Sequence, residues 1–481
     1  MRNRIYLVFL LVGLSLPLGY AQQDTQKVTE EESHRMGQDL IDLLQAGRYF
    51  EAKSLYDTIR IKVDSIHPFI ECFYKGYMSG YENKPDSVAF YLEEMIKKRF
   101  FPDILYMKVY GIYVEQLQDY KKAEQTLDRV RSYLEHNPDS INAEEMKIVC
   151  DHLADSESRT KRRAAEPTIR IVRDDTENST PLLADTVLKQ GYLFFNASYN
   201  GHQPISTLFD TGMTEYLNMD KAVADQIGIR RCFVQDSDSM VMVNGIKVLG
   251  YLGILDSLQM ANITLYHIPV GVFDMKSTIH IPDTFEVDSL KREEVISRFY
   301  QASSVVLGLK AMKWIEKIII DQENNRLCFP SVVKEPEKVK DRNMFWSYNR
   351  LFTSVEVNNC AMMTLIDSGI NDYIRIDTCF YEKHKSFIPV DTLKGKKYNN
   401  KTMIGRTQPI PFEIIAKDPV VTFDSLVIHP EKGDDVCVSS FSQWGEIYSQ
   451  MVEATVGFPF LKRLGKKILF DFRNMRMEVL E

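Results

Sequence analysis

The spacing of apolar residues divides the chain into two regions of different character. Between about residue 28 and residue 155, apolar residues recur every three or four positions, as in segments 39–44, 91–96 and 123–127. This spacing places them on one face of a helix, and breakers such as Gly47 interrupt the pattern. The first region is therefore predicted to be helical.

A weak repeat runs through the helical region, which we bound at residues 22–155. Segments 46–53 and 117–124 each combine a turn, an aromatic residue and a helix start that contains Ala, and segment 83–90 lies about midway between them. A period of about 35 residues is typical of helix-turn-helix repeats. The region therefore resembles degenerate tetratricopeptide repeats, with an irregular helical bundle as the alternative.

The later part of the chain has the pattern of β-strands. Asn200-Gly201 and Asn358-Asn359 each separate two apolar runs, which predicts two hairpins. Segments 318–327 and 468–477 resemble each other and predict two more hairpins, whose turns contain Asn and Arg.

A polar segment separates the two regions. Residues 156–185 are poor in aromatic residues and rich in charged and small polar ones, which predicts an exposed linker with one strand at 168–172. Lys161-Arg162-Arg163 is a candidate processing site that would separate a pro-segment from the β region. A solvated basic triplet is the alternative and the more common case.

The β region contains two copies of one unit. Asp210-Thr211-Gly212 and Asp367-Ser368-Gly369 each follow an apolar run, and their Asp residues are 157 positions apart. Further residues recur at matching places, namely Tyr216 and Tyr373, Asp220 and Asp377, and Gly308 and Gly457. Each copy is therefore predicted to present one carboxylate at the end of a strand.

Two carboxylates that face each other can carry out acid–base chemistry. At a separation of about 3 Å they cannot both be ionised, so one pKa rises and the pair holds one proton. The ionised member then takes a proton from a bound water, while the protonated member donates to the carbonyl oxygen that the water attacks. We expect Asp210 and Asp367 to form this catalytic pair, and the sequence leaves open which one is the base.

The order of these elements resembles that of pepsin-like and retropepsin-like aspartic proteases. Residues 186–481 look like a bacterial retropepsin-like enzyme fused head to tail, which implies an internal pseudo-dimer with lobes at 186–335 and 336–481. The implied fold class is multidomain α and β. A helical, repeat-like domain precedes an all-β, two-lobed domain of the double-psi β-barrel type.

The resemblance also implies roles for the residues of both triplets. The hydroxyls of Thr211 and Ser368 would reach across the pseudo-twofold axis and lock the two loops together. Gly212 and Gly369 would let the loops turn tightly, so that backbone N–H groups approach the carboxylates. A substrate-covering flap is expected at 236–249, where Asn244-Gly245 is a hairpin signal, with a matching loop at 398–407. A hairpin unrelated to substrate is the alternative for this segment.

Composition excludes several other classes of function. The net charge is −8 at pH 7 and no basic stripe with interleaved aromatic residues occurs, which argues against nucleic acid as a partner. The nine histidines are dispersed without the spacing of metal ligands, so neither a metal nor another cofactor is expected. No nucleophile elbow or phosphate-binding loop is present, which disfavours serine hydrolases and nucleotide hydrolases.

The N-terminus has the pattern of a signal peptide. Arg2 and Arg4 precede an apolar stretch at 5–18, and small residues predict cleavage after Ala21. We therefore expect an exported protein, periplasmic, secreted or at the cell surface, with a signal peptide at 1–21. After signal removal, no other segment is long and apolar enough to predict a transmembrane span.

Together these observations predict an exported aspartic endopeptidase that acts on a peptide or protein substrate. A catalytically inactive peptide-binding protein with the same fold and a helical-repeat scaffold is the alternative. Met213 and Ile370 follow the triplets where active members of the family carry a small residue, which favours the alternative, whereas the presence of both Asp residues opposes it. The helical domain is expected to dock a protein partner, shield the cleft or act as a pro-segment.

Overall fold

A computed structural model describes residues 29–137, 143–174, 179–185, 192–232, 239–243, 246–280, 289–330, 341–396, 403–404, 413–441 and 452–480. The predicted signal peptide, the turn Asn244-Gly245 and most of the loop at 398–407 lie outside the described residues. Within them, a helical N-terminal domain precedes a β-rich part, which confirms the broad fold prediction. Among the described helices, none combines the length and the apolar content that a membrane span needs.

The N-terminal domain consists of helices joined by short turns. Their bounds are α1 Glu30–Gln45, α2 Tyr49–Lys62, α3 Pro68–Tyr81, α4 Pro85–Lys97, α5 Tyr106–Ile112, α6 Tyr120–His136 and α7 Ala143–Ala165. A short 3-10 helix, Asp103–Leu105, precedes α5, and a π-helical turn, Tyr113–Leu117, follows it. The helical segments predicted from apolar spacing lie in α1, α4 and α6 and are confirmed, while their repeat character stays a prediction.

Side chains at the helix starts explain where these helices begin. The side chain of Thr29 caps α1 by accepting the N–H of Glu32 at 3.2 Å, and that of Asp119 caps α6 by accepting the N–H of Lys122 at 3.0 Å. Helices α3 and α4 each begin with a proline, which has no N–H to leave unpaired in the first turn.

The expected linker is wrong for its first ten residues. Helix α7 continues to Ala165 and includes the basic triplet, because one face of this polar segment packs on the helical domain. Leu153 is buried there, and the buried hydroxyl of Thr160 lies 3.1 Å from the hydroxyl of Tyr110. The strand predicted at 168–172 is present at Arg170–Arg173, and a second strand, which was not predicted, follows at Ser179–Leu183.

We call the two β units the first lobe and the second lobe. The first lobe contains β1 Arg170–Arg173, β2 Ser179–Leu183, β3 Phe194–Tyr199, β4 Ile205–Phe209, β5 Leu217–Asp220, β6 Arg230–Arg231, β7 Ser239–Val243, β8 Ile246–Met260, β9 Ile263–Phe273, β10 Ile279–His280, β11 Val305–Leu307, β12 Lys317–Asp321 and β13 Arg326–Cys328. Its helices are α8 Lys221–Ile227, α9 Ser289–Ser303 and α10 Leu309–Ile315.

The second lobe contains β14 Met344–Ser347, β15 Arg350–Val357, β16 Cys360–Ile366, β17 Ile374–Asp377, β18 Val390–Lys396, β19 Met403–Ile404, β20 Glu413–Ala416, β21 Val421–Phe423, β22 Leu426–Ile428, β23 Val436–Ser439, β24 Ala454–Val456, β25 Lys467–Asp471 and β26 Arg476–Leu480. Its described helices are α11 Thr378–His384 and α12 Phe458–Leu464.

The strand pairing repeats from one lobe to the other. In the first lobe β4 pairs with β11 in parallel, β11 with β5 antiparallel, and β5 with β9 in parallel. Strands β16, β24, β17 and β23 repeat this sequence of pairings in the second lobe. The hairpins β3–β4 and β15–β16 turn at Asn200-Gly201 and Asn358-Asn359, where all four residues have positive φ as the turn signals predicted.

A sheet built from the closing hairpins joins the lobes. Strand β12 of the first lobe pairs antiparallel with β25 of the second, and β13 and β26 flank them. Asp321 and Asp471 hold the two hairpin turns by accepting backbone N–H groups from Asn324 and Asn474, at 3.0 and 2.9 Å. Both closing hairpins predicted from the sequence are therefore confirmed.

The core of the helical domain continues into the second lobe. Tyr49 of α2 stacks on Phe345 of β14, with ring centroids 5.2 Å apart. Arg48 forms an ion pair with Glu453, which also accepts the N–H of Met363 in β16 at 2.7 Å. One apolar cluster contains the helical core together with second-lobe residues, namely Phe345, Phe352, Met363, Leu365, Phe441 and Val452.

Candidate active site

Each triplet begins where a central strand of its lobe ends. Asp210 follows β4 and Asp367 follows β16. The neighbouring strands fix both positions, because the N–H of Asp210 donates to Leu307 O at 3.0 Å and that of Asp367 to Val456 O at 2.9 Å. The structure brings both residues together at the junction between the lobes.

Two buried hydroxyls link the loops across this junction. The N–H of Thr211 donates to Ser368 Oγ at 3.0 Å, and the N–H of Ser368 donates to Thr211 Oγ1 at 2.8 Å. Each hydroxyl donates in turn to a carbonyl of the opposite lobe, Thr211 to Ile366 at 3.0 Å and Ser368 to Phe209 at 2.9 Å. Because buried hydrogen bonds each contribute about 0.5–1.5 kcal/mol net, the four bonds hold the loops in a fixed relation.

Gly212 and Gly369 leave space for the two carboxylates. A Cβ at Gly212 would overlap the carboxylate of Asp367, and one at Gly369 would overlap that of Asp210. Each glycine N–H also donates to the Asp of its own loop, from Gly212 to Asp210 at 2.7 Å and from Gly369 to Asp367 at 3.0 Å. The opposite lobe therefore imposes a steric requirement for glycine that the sequence did not reveal.

The carboxyl groups of Asp210 and Asp367 share a side-chain hydrogen bond. Burial raises the pKa of Asp210, although N–H donation from Gly212 opposes the rise. At Asp367, burial and the adjacent charge of Asp210 together raise the pKa well above its usual range. Both shifts have the same sign, so the pair holds a proton at a pH where two isolated carboxyl groups would both be ionised.

The side chains of Met213 and Ile370 pack beneath the loops. A Cβ at Gly308 would lie 2.6 Å from Cε of Met213, and a Cβ at Gly457 would lie 3.0 Å from Cγ1 of Ile370. The side chain of Met213 also contacts an apolar cluster of the first lobe. The two larger residues after the triplets thus fill equivalent spaces over two glycines.

The second pair of matched Asp residues has a structural role. Asp220 caps α8 by accepting the N–H of Ala222 at 2.9 Å, and Asp377 caps α11 by accepting the N–H of Cys379 at 2.7 Å. Both carboxylates are buried. Asp220 also accepts the hydroxyl of Tyr300 at 2.9 Å.

Sequence reasoning missed two residues beside Asp210 and Asp367. Nη1 of Arg350 donates to Gly212 O at 3.0 Å, and its positive charge lowers the pKa of both Asp210 and Asp367. Burial raises the pKa of the Tyr192 phenol most. The nearby charges of Asp367 and Asp210 raise this pKa further. Strand pairing begins at Phe194 in the hairpin of the first lobe and at Phe352 in that of the second. Tyr192 and Arg350 each lie two residues before that Phe, so an alignment of the two hairpins would have paired them.

Part of the predicted flap is a hairpin. Strands β7 and β8 pair antiparallel from Ser239 opposite Gly250 to Val243 opposite Ile246, with the predicted turn between them. Val248 of this hairpin is buried in the apolar cluster that Met213 contacts. Strand β19, within the expected second loop, pairs with β10 of the first lobe.

Comparisons with known proteins point to one class. The sequence model of the family described as "Aspartyl protease" matches residues 195–283, which supports an aspartic-protease relationship for the first lobe. A solved retropepsin-like aspartic protease from Rickettsia conorii is 16% identical, with a TM-score of 0.20, over 34% of this chain and 91% of that chain. A search of curated proteins found no match.

Proposed function

We propose that the protein is an aspartic endopeptidase. The observation that carries the proposal is the pair formed by Asp210 and Asp367, which share a hydrogen bond between two loops that are themselves bonded across the lobes. The family match over residues 195–283 supports the same class of reaction. In this proposal Thr211, Gly212, Ser368 and Gly369 support the active-site loops.

The electrostatics of the pair suggest how the first step proceeds. The ionised member of the pair takes a proton from a water held between the carboxyl groups, and that water attacks the carbonyl carbon of the peptide bond. The protonated member donates its proton to the carbonyl oxygen, and a tetrahedral diol forms. In the second step the roles reverse: the first carboxyl group gives its proton to the amine as the bond breaks, and the second recovers a proton from the diol.

The substrate is proposed to bind as an extended strand in the cleft between the lobes, beneath the β7–β8 hairpin. The described part of this hairpin has the position in the chain that the resemblance assigns to a flap.

We propose two finer features of the fold. The lobes are barrels of the double-psi type, and the helical domain consists of degenerate tetratricopeptide repeats. We also propose that the protein is exported after cleavage of residues 1–21, and that the helical domain binds a protein partner.

The alternative is an inactive peptide-binding protein, and a digest of a peptide library across pH separates the two. We expect cleavage by the wild type and a loss of about 10²- to 10⁴-fold in Asp210→Asn, because the substitution removes one of the two carboxyl groups that transfer protons. Asp128→Asn, at an exposed ion pair on α6, is the matched control and should keep full activity. Peptide binding without cleavage at any pH would support the alternative.

A further inference from the structure

An open groove lies between helices α1 and α2 of the helical domain. Its volume is about 690 Å³, which is within the range of pockets that bind ligands. We call it the α1–α2 groove and define it by lining residues from both helices and the turn between them, namely Asp39, Asp42, Leu43, Ala46, Glu51 and Leu55.

The floor of the α1–α2 groove is apolar and continues along α2. Leu43 and Leu55 are half-buried, and they pack against the core of the helical domain. Thr58 also lines the groove, and Ile61, which lies one turn further along the same face of α2, is 85% exposed. An exposed apolar side chain in line with an apolar groove indicates a surface for a partner. A helix laid along the groove would bury all three apolar side chains.

The rim of the groove is acidic. Every charged side chain among its lining residues is a carboxylate, from Asp39, Asp42 or Glu51, and all three residues are exposed. Glu51 forms an ion pair with Arg48, but Arg48 is shared with Glu453 of the second lobe. The rim therefore has an excess of negative charge.

The end of the groove next to the second lobe also favours a cation. Helix α1 ends there at Gln45, and its last turn contains no basic residue to offset the partial negative charge of the helix C-terminus. Tyr348, in the turn between β14 and β15, donates its hydroxyl to Gln45 O at 2.9 Å and is 48% exposed. The face of an exposed aromatic ring attracts a cation. Ala46, the residue after Gln45, lines the groove, so these features lie at its end.

We propose that the α1–α2 groove binds an amphipathic helix of a protein partner, with aliphatic side chains on the floor and a Lys or Arg side chain against the acidic rim and Tyr348. This inference rests on the proposed partner-binding role of the helical domain and does not depend on proteolytic activity. Charge complementarity selects a basic partner. A second copy of this chain is disfavoured, because its net charge of −8 would repel an acidic surface.

The test uses two fluorescein-labelled model helices of about 15 residues. Both have Leu at positions i, i+3, i+4 and i+7, with Lys at the flanking positions in one peptide and Glu in the other. Fluorescence anisotropy measures their binding to the full chain carrying Asp210→Asn, which limits cleavage of the probe. We expect the Leu/Lys peptide to bind in the micromolar range and the Leu/Glu peptide at least about tenfold more weakly. Equal affinities, or binding of neither peptide, would overturn the proposal.

Variants of the groove then assign the binding to its residues. Asp39→Asn combined with Asp42→Asn should weaken binding of the Leu/Lys peptide about five- to tenfold, because two rim charges are lost. Ile61→Ser should weaken it about fivefold or more by removing an apolar contact. Glu124→Gln combined with Asp128→Asn, at exposed positions of α6, is the matched control with the same change in net charge and should alter binding less than about twofold. Equal losses in both double variants would indicate non-specific attraction and refute the groove.

Hydrogen exchange and sedimentation complete the experiment. Bound Leu/Lys peptide should slow exchange in α1 and α2, whereas slowing confined to other helices would refute the groove and leave the partner-binding role of the helical domain intact. A dimer that dissociates on Asp39→Asn with Asp42→Asn would show that a second copy is the occupant and would contradict a basic partner. If the wild type cleaves no peptide, the proposed proteolytic function fails while these binding results still decide the role of the groove.

Discussion

The outer faces of the two lobes are covered by different parts of the chain. Leu208 of β4 packs in a cluster with Ala302 of α9, a helix of the first lobe itself. Leu365, at the equivalent place in β16, packs in the cluster that forms the core of the N-terminal helical domain. Toward Asp210 and Asp367, in contrast, the two lobes make the same hydrogen bonds with the same geometry.

This difference teaches that the duplicated unit is constrained where the lobes face each other and free to change where they face outward. The helical domain is a part of the second lobe's packing, since Tyr49 and Phe345 stack and Arg48 pairs with Glu453. A role as a removable pro-segment would therefore expose an apolar face of the strand that leads to Asp367.

The largest effect is expected where the lobes are equivalent. Gly212→Ala and Gly369→Ala each place a Cβ in the volume of the opposite carboxylate, so each should reduce kcat/KM by about 10²-fold or more, since displacement by about 1 Å is enough for such a loss. Steady-state cleavage assays measure the effect. Gly201→Ala is a useful comparison, since no atom lies within 4 Å of its added Cβ, although its positive φ costs some stability. A large loss in only one of the two active-site variants would break the equivalence of the loops.

The next effect distinguishes the two outer faces. Phe345→Ala should lower the free energy of unfolding by about 3–5 kcal/mol, because it opens a cavity between the helical domain and the second lobe. Hydrogen exchange should show faster exchange in both α2 and β16. Phe194→Ala is the matched variant in the first lobe, where faster exchange should be confined to β4 and α9. Slow exchange in β16 after Phe345→Ala would show that the helical domain does not support that strand.

A smaller effect is expected at Glu453, because the equivalent residue of the first lobe is uncharged. Asp377 donates its N–H to Glu453 O and Asp220 donates its N–H to Ser304 O, both at 2.8 Å, so Ser304 is the equivalent residue. Glu453→Ala should cost about 1–3 kcal/mol in chemical denaturation, because it leaves the N–H of Met363 without its side-chain acceptor.

Two variants control this measurement. Ser304→Ala should cost less than about 0.5 kcal/mol, since the described contact of Ser304 is made by its backbone carbonyl, which alanine keeps. Glu453→Gln keeps an acceptor for Met363 and removes only the charge that faces Arg48, so its cost should fall between the other two. Equal costs at positions 304 and 453 would contradict the proposed difference between the lobes.

Local patterns of the sequence predicted much of the β region. Positive-φ turns at Asn200-Gly201 and Asn358-Asn359 left a clear signature, and so did the two closing hairpins. The two triplets were identifiable because the duplicated unit contains the same short motif in both copies. These features depend on neighbouring residues, which is why they could be read without a structure.

Features created by distant contacts could not be predicted in the same way. Arg350 and Gly212 are 138 positions apart, and Arg48 and Glu453 are 405 positions apart. Neither contact leaves a local pattern. The last ten residues of helix α7 were missed for a related reason, because Thr160 is buried by packing against α5 although its neighbours are strongly polar.

The ladder between β12 and β25 has a further consequence for how the molecule is assembled. Lys317 faces Asp471 and Asp321 faces Lys467, around a centre where Ile319 faces Leu469. The pairing of β12 with β25 is thus nearly self-complementary, because each strand has a basic residue at its first position and an acidic residue at its last. Each strand would place opposite charges face to face if it paired antiparallel with a second copy of itself, so the charge pattern that matches the two halves is written in each half separately.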